Sequence, residues 1–406
     1  MTNANGSTNV MQRAARMVIE FLVAGLCAIG FGITAQMFIF SLVSSDSVGT
    51  RDFSVYWATG RQLVHHGNPY GAKEMLSTEI SLGFPAEMGV KFMRNPPWML
   101  PIAYPLGFMS VRMASIIWSL LLLALLVISV RLVWILHGRP KTNRTLLGYS
   151  FAPAVLCLII GQSSIFALFG LVLFLSIQRK HPFFAGCSLW LCMMKPHLFL
   201  PFGCVLLVWI YVSRSYKVLA GTAMMVALSA AIATAIDRAA WSQYAVMVHG
   251  SGIEVDYIPC LSFLLRKWIN LGSFWIQYVP ATIGCVWAVG YYWRRRETWD
   301  WIQHSGSVLL VSILVAPYCW LFDQVLAIPA LLHGAYAARS RDLVLVLAFA
   351  SALIEGAFFE NGKYPSAIYL WTLWTAPGWV IWYWFATRTN AAYAMRLEIE
   401  PGAGEV

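Results

Sequence analysis

An all-α, polytopic integral membrane protein is the fold class this sequence predicts, and three observations predict it. Hydrophobic residues make up 59% of the 406 positions and charged residues only 11%, where a soluble domain carries about a quarter charged residues. Apolar stretches long enough to cross a bilayer recur along the chain. Lys and Arg cluster at the ends of every second stretch, the pattern that orients membrane proteins. The net charge of +10 is therefore read as orienting charge, with no nucleic-acid partner implied. The eight cysteines show no C-x-x-C or Cys/His ligand spacing. Neither a disulfide framework nor a metal site is expected.

Taken in order, Arg13 and Arg16 precede a first span at 17–40, too long for a signal h-region and read as retained. The two arginines place the N-terminus in the cytoplasm. The loop 41–97 then lies outside, and a second span, 113–136, returns to Arg139, Lys141 and Arg144. Two apolar hairpins follow. One turns at Gly161-Gln162-Ser163-Ser164 and descends to Arg179-Lys180; the other turns at Lys195-Pro196-His197 and descends to Arg214 and Lys217. A seventh span, 218–236, leads to an outer loop, 237–273, and an eighth ends at Arg294-Arg295-Arg296. Four more spans turn at Pro317-Tyr318-Cys319-Trp320, at Arg339/Arg341 and at the loop holding Lys363, and finish near Arg388. About twelve spans result, with both ends inside. Residues 1–390 form one membrane domain, and 391–406 a polar cytoplasmic tail expected to be disordered.

With that orientation the unexplained polar residues collect at the outer boundary. After Asp52, the residues Phe53, Tyr56, Trp57, Gly60 and Leu63 fall on one face at helical spacing. They predict a short amphipathic helix at the membrane surface, stopped by an αL Gly67 and by Pro69. Asp52 has two readings, an N-cap or a chemical carboxylate at the helix mouth. Lys195 at an apolar hairpin tip costs about 2.5–3.5 kcal/mol at membrane depth unless it is paired or snorkels. A phosphate anion, Asp323 or lipid headgroups are suitable partners. Gln162 is a turn-capping amide or a substrate contact, and Asp323 a helix cap or a site residue. Arg94 precedes a proline-punctuated run, 99–108, that reads as re-entrant or interfacial. Tyr56, Trp57, Tyr70 and Trp98 are interface aromatics or platforms for a sugar ring. Glu254, Asp256, Arg266 and Lys267 flank the second outer loop. No P-loop or glycine-rich phosphate cradle is present, so energy is expected to arrive in an activated substrate.

The ordered set of motifs resembles glycosyltransferase family 87. It comprises Asp52-Phe53-x-x-Tyr56-Trp57-x-x-Gly60-Arg61, Gly67-Asn68-Pro69-Tyr70, Asn95-Pro96-Pro97, Gly161-Gln162-Ser163-Ser164, Lys195-Pro196-His197 and the run from Ala316 to Asp323. The resemblance implies a GT-C-like fold with its active site on the outer face of the cytoplasmic (inner) membrane. It implies a lipid-linked donor such as polyprenyl-monophosphate-mannose, a lipid or glycan acceptor, and Asp52 as the catalytic base. The residue chemistry agrees with this. An inverting displacement needs a carboxylate to take the acceptor proton and cations to hold the departing phosphate. Lys195, Arg94, Arg266 and Lys267 are the expected phosphate-binding residues. Tyr56, Trp57, Arg61, Tyr70, Gln162, His197 and Asp323 are the expected substrate-binding residues. No cofactor is expected; membrane lipids are. The rival reading is a secondary transporter or flippase for a lipid-linked or small anionic substrate. It predicts inverted repeats and mid-membrane ionisable groups, whereas Glu20 and Glu355 stand near span ends and no repeat is visible.

The orientation makes a direct prediction. In a background without native cysteines, a cysteine placed beside Asp52 or Gly250 reacts with an impermeant maleimide in sealed cells. Lys141→Cys reacts only after permeabilisation. Outside labelling of Lys141→Cys would invert the topology.

Overall fold

The computed structural model describes residues 4–43, 49, 51–250, 258–360 and 371–399. Helices make up 81% of it, and no strand occurs among the described residues. Glu254, Asp256 and Lys363 lie outside the described residues. In chain order the main helices are α1 (Ala4–Val43), α2 (Phe53–Val64), α3 (Ala72–Ser81), α4 (Val111–Leu136), α5 (Ala152–Ile160), α6 (Ser164–Ile177), α7 (Pro182–Leu189) and α8 (Leu200–Ser213). They continue as α9 (Tyr216–Ile236), α10 (Ala240–Gly250), α11 (Leu261–Ile269), α12 (Val279–Arg295), α13 (Trp301–Leu314), α14 (Ile328–Ala337), α15 (Arg341–Glu360) and α16 (Thr375–Ile399). Helix α16 carries regular structure past residue 390 to Ile399, into the stretch expected to be a disordered tail.

Among the described residues, four helical stretches are long and apolar enough to cross a membrane: Val111–Leu136, Asn143–Ile160, Pro196–Ser213 and Tyr216–Ile236. The other apolar helices are shorter, among them Ser164–Ile177, Trp301–Leu314 and Leu321–Ala337. These four are the candidate spans among the described residues; turns and 3-10 segments at Gly161, Lys195 and Trp320 interrupt other apolar runs. Non-helical backbone at such depth is tolerated where protein buries it. These three interruptions are therefore packed against one another, and the site described below is made from them.

The bundle has two chemically distinct ends. Ser115 and Ser119, near the start of α4, accept hydrogen bonds from Arg51 at 2.8 and 3.1 Å. The 26 residues of α4 then run about 39 Å at 1.5 Å per residue. At the far end, His137 meets His333 of α14 at 3.0 Å, and Arg144 donates to Ala335 and Ala338 carbonyls at 2.6 and 2.8 Å. Arg341 pairs with Glu20 there at 3.4 Å, and Arg179 pairs with Asp300, which also caps α13 through Ile302 and Gln303. The cationic cluster is thus at the opposite end from Asp52.

Helix α2 departs from its expected setting. Phe53, Ser54, Val55, Tyr56, Ala58, Thr59, Gly60 and Leu63 are all buried, so both faces of the helix are covered and it is not a strip lying on a surface. The left-handed residue after it is His66 (φ 56°), not Gly67. A Cβ on Gly67 would meet only the mobile end of the Gln62 side chain, at 2.2 Å. The tightest packing of α2 is on the proline-punctuated segment at 104–108. A Cβ on Gly60 would lie 2.3 Å from the Ala103 carbonyl oxygen, and one on Gly107 would lie 2.1 Å from the Gly60 carbonyl oxygen. Backbone meets backbone, as small residues permit between membrane helices.

Because backbone atoms cannot swing aside, Gly60→Ala should destabilise the purified protein by about 1–3 kcal/mol, read as a lower midpoint of thermal unfolding. Gly25→Ala is the control, since a Cβ there meets nothing within 4 Å. Equal midpoints for both variants would show that α2 is not seated this closely.

Candidate active site

The site begins at the turn between α5 and α6. Gly161 ends α5 in the left-handed conformation (φ 76°), and a Cβ there would also press on Phe53 of α2 at 2.7 Å. Two separate demands therefore select glycine. Trp118 of α4, almost fully buried, donates its indole N–H to the Gly161 carbonyl at 2.8 Å. Its rings also pack on Tyr56, with centroids 5.0 Å apart. The turn is thereby fixed, and Gln162, Ser163 and Ser164 are presented from it.

Lys195 reaches into this turn from the second hairpin. Its Nζ donates to Gln162 Oε1 at 3.0 Å, Ser164 Oγ at 2.9 Å and Asp323 Oδ1 at 2.7 Å. An ammonium has three N–H donors, so all are used. The ring of Phe322 lies 5.0 Å from the charge. Asp323 is fully buried, accepts a second bond from Ser164 Oγ at 2.6 Å, and takes the Trp320 N–H on Oδ2 at 3.1 Å. Of the partners open to Lys195 from sequence, the structure supplies Asp323.

Gln162 joins this buried pair to Asp52. Its Nε2 donates to Asp52 Oδ2 at 2.9 Å, while its Oε1 accepts from Lys195 and from the Tyr56 hydroxyl, each at 3.0 Å. The amide orientation follows from these neighbours: reversing it would set an NH2 against an ammonium and a carbonyl against a carboxylate. Asp52 occupies the N-cap position of α2 but its side chain makes no capping bond. Its Oδ1 stands 3.7 Å from Lys91 Nζ, and the carboxylate remains 30% exposed. Lys91 also donates to the Gly49 and Arg51 carbonyls at 3.3 Å each. Arg51 anchors the start of α2 by a 2.7 Å bond to the Ile159 carbonyl. Burial lowers its pKa to about 10, so it stays charged at neutral pH.

Asp52, Tyr56, Gln162, Lys195 and Asp323 therefore form one connected network. The other expected site residues lie around it. Trp57 donates to the Met109 carbonyl at 3.1 Å, and Arg61 to that of Gly107 at 3.2 Å with its charge over the Trp57 ring. Both hold α2 to the 104–109 segment. Tyr70 is buried, with its hydroxyl on the Asn95 carbonyl at 3.1 Å. The His197 ring lies against Tyr318 with centroids 4.0 Å apart, and its Nε2 is buried without a hydrogen-bond partner. Arg94 is near enough for its charge to act on the Tyr318 phenol. Arg266 is buried on α11 between the rings of Phe263 and Phe274, and Lys267 beside it is exposed. Ser262 of that helix bonds the Val315 carbonyl at 3.2 Å, tying α11 to the chain that leads into Asp323.

Sequence reasoning missed Lys91, Glu79 and the role of Ser164. Ser164 stood within a quoted motif. Lys91 and Glu79 carried no signal, because only the folded loop brings them to Asp52. Glu79 is fully buried, its Oε2 accepts the Lys91 backbone N–H at 3.1 Å, and its Oε1 has no hydrogen-bond partner. Burial raises its pKa from 4.5 to about 7; the Lys91 N–H and charge oppose the rise and Asp52 adds to it. Among the described residues no three His, Cys, Asp or Glu side chains gather to hold a metal.

The sign of the Glu79 effect is set by its raised folded-state value. Between pH 4.5 and about 7 the folded form binds more protons than the unfolded, so stability falls as pH rises. The contribution is fully present below 4.5 and lost as pH passes about 7. Thermal midpoints measured between pH 5 and 8 should decline in the wild type and decline less in Glu79→Gln. Parallel curves would mean that Glu79 ionises normally in the fold.

The profile of glycosyltransferase family 87 matches residues 92–398. The match takes in Gln162, Lys195 and Asp323 and begins after Asp52 and Lys91. No curated protein and no solved structure matches the chain.

Proposed function

Since the chain belongs to glycosyltransferase family 87 and is a membrane glycosyltransferase, we propose that it moves a hexose, mannose first among the candidates, from a polyprenyl-monophosphate-sugar to a lipid or glycan acceptor. The reaction takes place on the extracytoplasmic face of the cytoplasmic membrane, with Asp52 as general base. One observation carries this reading: Asp52 is a partly exposed carboxylate at a helix N-terminus that caps nothing and is held by side chains from other elements. A carboxylate kept only for capping would bond the first-turn N–H groups.

In the proposed displacement Asp52 accepts the proton of the acceptor hydroxyl as that oxygen attacks the anomeric carbon. The bond from that carbon to the phosphate oxygen breaks, and the lipid phosphate leaves with the electron pair. Such an inverting step needs no covalent intermediate. The departing charge is stabilised by fixed cations. Arg94, whose charge acts on the Tyr318 phenol, and the Arg266-Lys267 pair of α11 are assigned to the phosphate. Lys195, whose three donors are engaged, adds its field from behind Gln162 and makes no direct contact.

Asp52→Asn tests the proposal. Asn is close to isosteric and still pairs with Gln162 after an amide rotation, yet it cannot accept the acceptor's proton. Turnover with labelled polyprenyl-phosphate-hexose at saturating donor and acceptor should fall about 10²–10⁴-fold, with folding and donor binding retained. Near-normal turnover would assign the base elsewhere.

A further inference from the structure

The expected role of Gln162 was a substrate contact, but its hydrogen-bonding groups are nearly all spent within the protein. Nε2 faces Asp52 Oδ2 at 2.9 Å. Oε1 accepts from Lys195 Nζ at 3.0 Å and from the Ser163 N–H at 3.3 Å, and it shares the one proton of the Tyr56 hydroxyl, 3.0 Å away, with Ser163 Oγ, also at 3.0 Å. The backbone carbonyl receives the Cys157 thiol at 3.3 Å. Three donors, one of them cationic, converge on the amide oxygen. An amide polarised at its oxygen is a stronger donor at its nitrogen, because the two atoms share one conjugated system. The nitrogen is aimed at one oxygen of the proposed base.

The geometry points to Gln162 as a positioning residue: a polarised amide relay that ties down Asp52 Oδ2, leaves Oδ1 as the oxygen that takes the proton, and carries the charge of Lys195 to the carboxylate. The relay moves no proton and remains neutral. This rests on Asp52 acting as base. It explains why a lysine with no spare donor lies so near the reacting carboxylate. It also explains why Lys195 has a buried counter-ion: Asp323 anchors the ammonium so that its remaining N–H is directed at Oε1. The charged and titratable groups around the relay are few. Asp52 faces Lys91 at 3.7 Å and interacts with the charges of Arg51 and Glu79 and with Tyr56. Gln162 faces Lys195, Tyr56 and the Cys157 thiol, and behind the lysine Asp323 is joined by His197 and Cys319, which interact with the pair.

Gln162→Glu distinguishes a relay from a substrate contact. The new carboxylate keeps Lys195 and Tyr56 on one oxygen but sets its other oxygen against Asp52, and two carboxylates so close share a proton. The relay predicts that the acidic limb of the kcat/KM profile moves up by about one pH unit or more. Donor KM at the optimum should stay within about threefold, since no substrate contact is lost. A KM raised tenfold or more with an unmoved pH profile would overturn the relay and make Gln162 a substrate ligand. Gln162→Met, which has nearly the same shape but no donor, provides a second arm if the Glu variant fails to fold. It should lower kcat at least tenfold with donor KM retained, and full kcat in a monodisperse Met variant would also overturn the relay. Asp52→Asn separates the two ideas. If that variant is inactive while both Gln162 variants behave as substrate-contact mutants, only the relay fails; if it is active, the base assignment fails and the relay with it.

Discussion

A lysine and an aspartate held at 2.7 Å and almost wholly removed from solvent are the constraint on which the rest of this site depends. Bringing two charges out of water costs several kcal/mol for each ion, on the order of the stability of a small domain, and only close pairing with further hydrogen bonds offsets it. Here the offsets come from three places in the chain. Ser164 and Gln162 come from the first hairpin, Lys195 from the second, and Asp323 with the Trp320 N–H from a turn more than a hundred residues later. Each place is an interruption of an apolar run. The pair therefore requires the interruptions to meet, and their meeting buries backbone that would otherwise face lipid.

From that pair outward the network passes from dry to wet. Asp323 is inaccessible, Lys195 nearly so, Gln162 half-buried, and Asp52 30% exposed. One amide, that of Gln162, joins the buried ion pair to the partly exposed carboxylate. Such an arrangement suits a site where a carboxylate must meet a hydroxyl from solvent or lipid while its geometry is set from within. The aromatic residues serve the same end by packing. Trp118 and Tyr56 clamp the Gly161 turn, and Trp57 with Arg61 fastens α2 to the 104–109 segment. These contacts hold the backbone of the site in place.

The loop side of Asp52 is held by Lys91. Its ammonium spans the carboxylate and the carbonyls of Gly49 and Arg51, while its backbone N–H rests on buried Glu79. Asp52 is therefore held from two directions, by Gln162 of the Gly161 turn on Oδ2 and by Lys91 of the loop near Oδ1. The second grip leans on a carboxyl whose pKa burial raises to about 7.

Much of this was legible in the chain because membrane physics writes it locally. Apolar runs and alternating Lys/Arg clusters identify spans one at a time, and a lone Lys195 or Gln162 at the tip of an apolar hairpin is conspicuous where it stands. The helix after Asp52 also followed from local spacing, since Phe53, Tyr56, Gly60 and Leu63 repeat at helical intervals. Local pattern does not contain pairing. It left Lys195 with three possible partners, and tertiary packing chose Asp323, 128 residues away. It left Asp52 between cap and catalyst, and only the fold removed the cap by offering Gln162 a shorter reach. It treated α2 as a surface helix because its pattern is two-faced, whereas Gly60 against Gly107 draws the backbone of 103–107 over it. Lys91 and Glu79 were invisible for the same reason: a hydrogen bond between distant residues is a property of the packed chain, and no periodicity in the sequence records it.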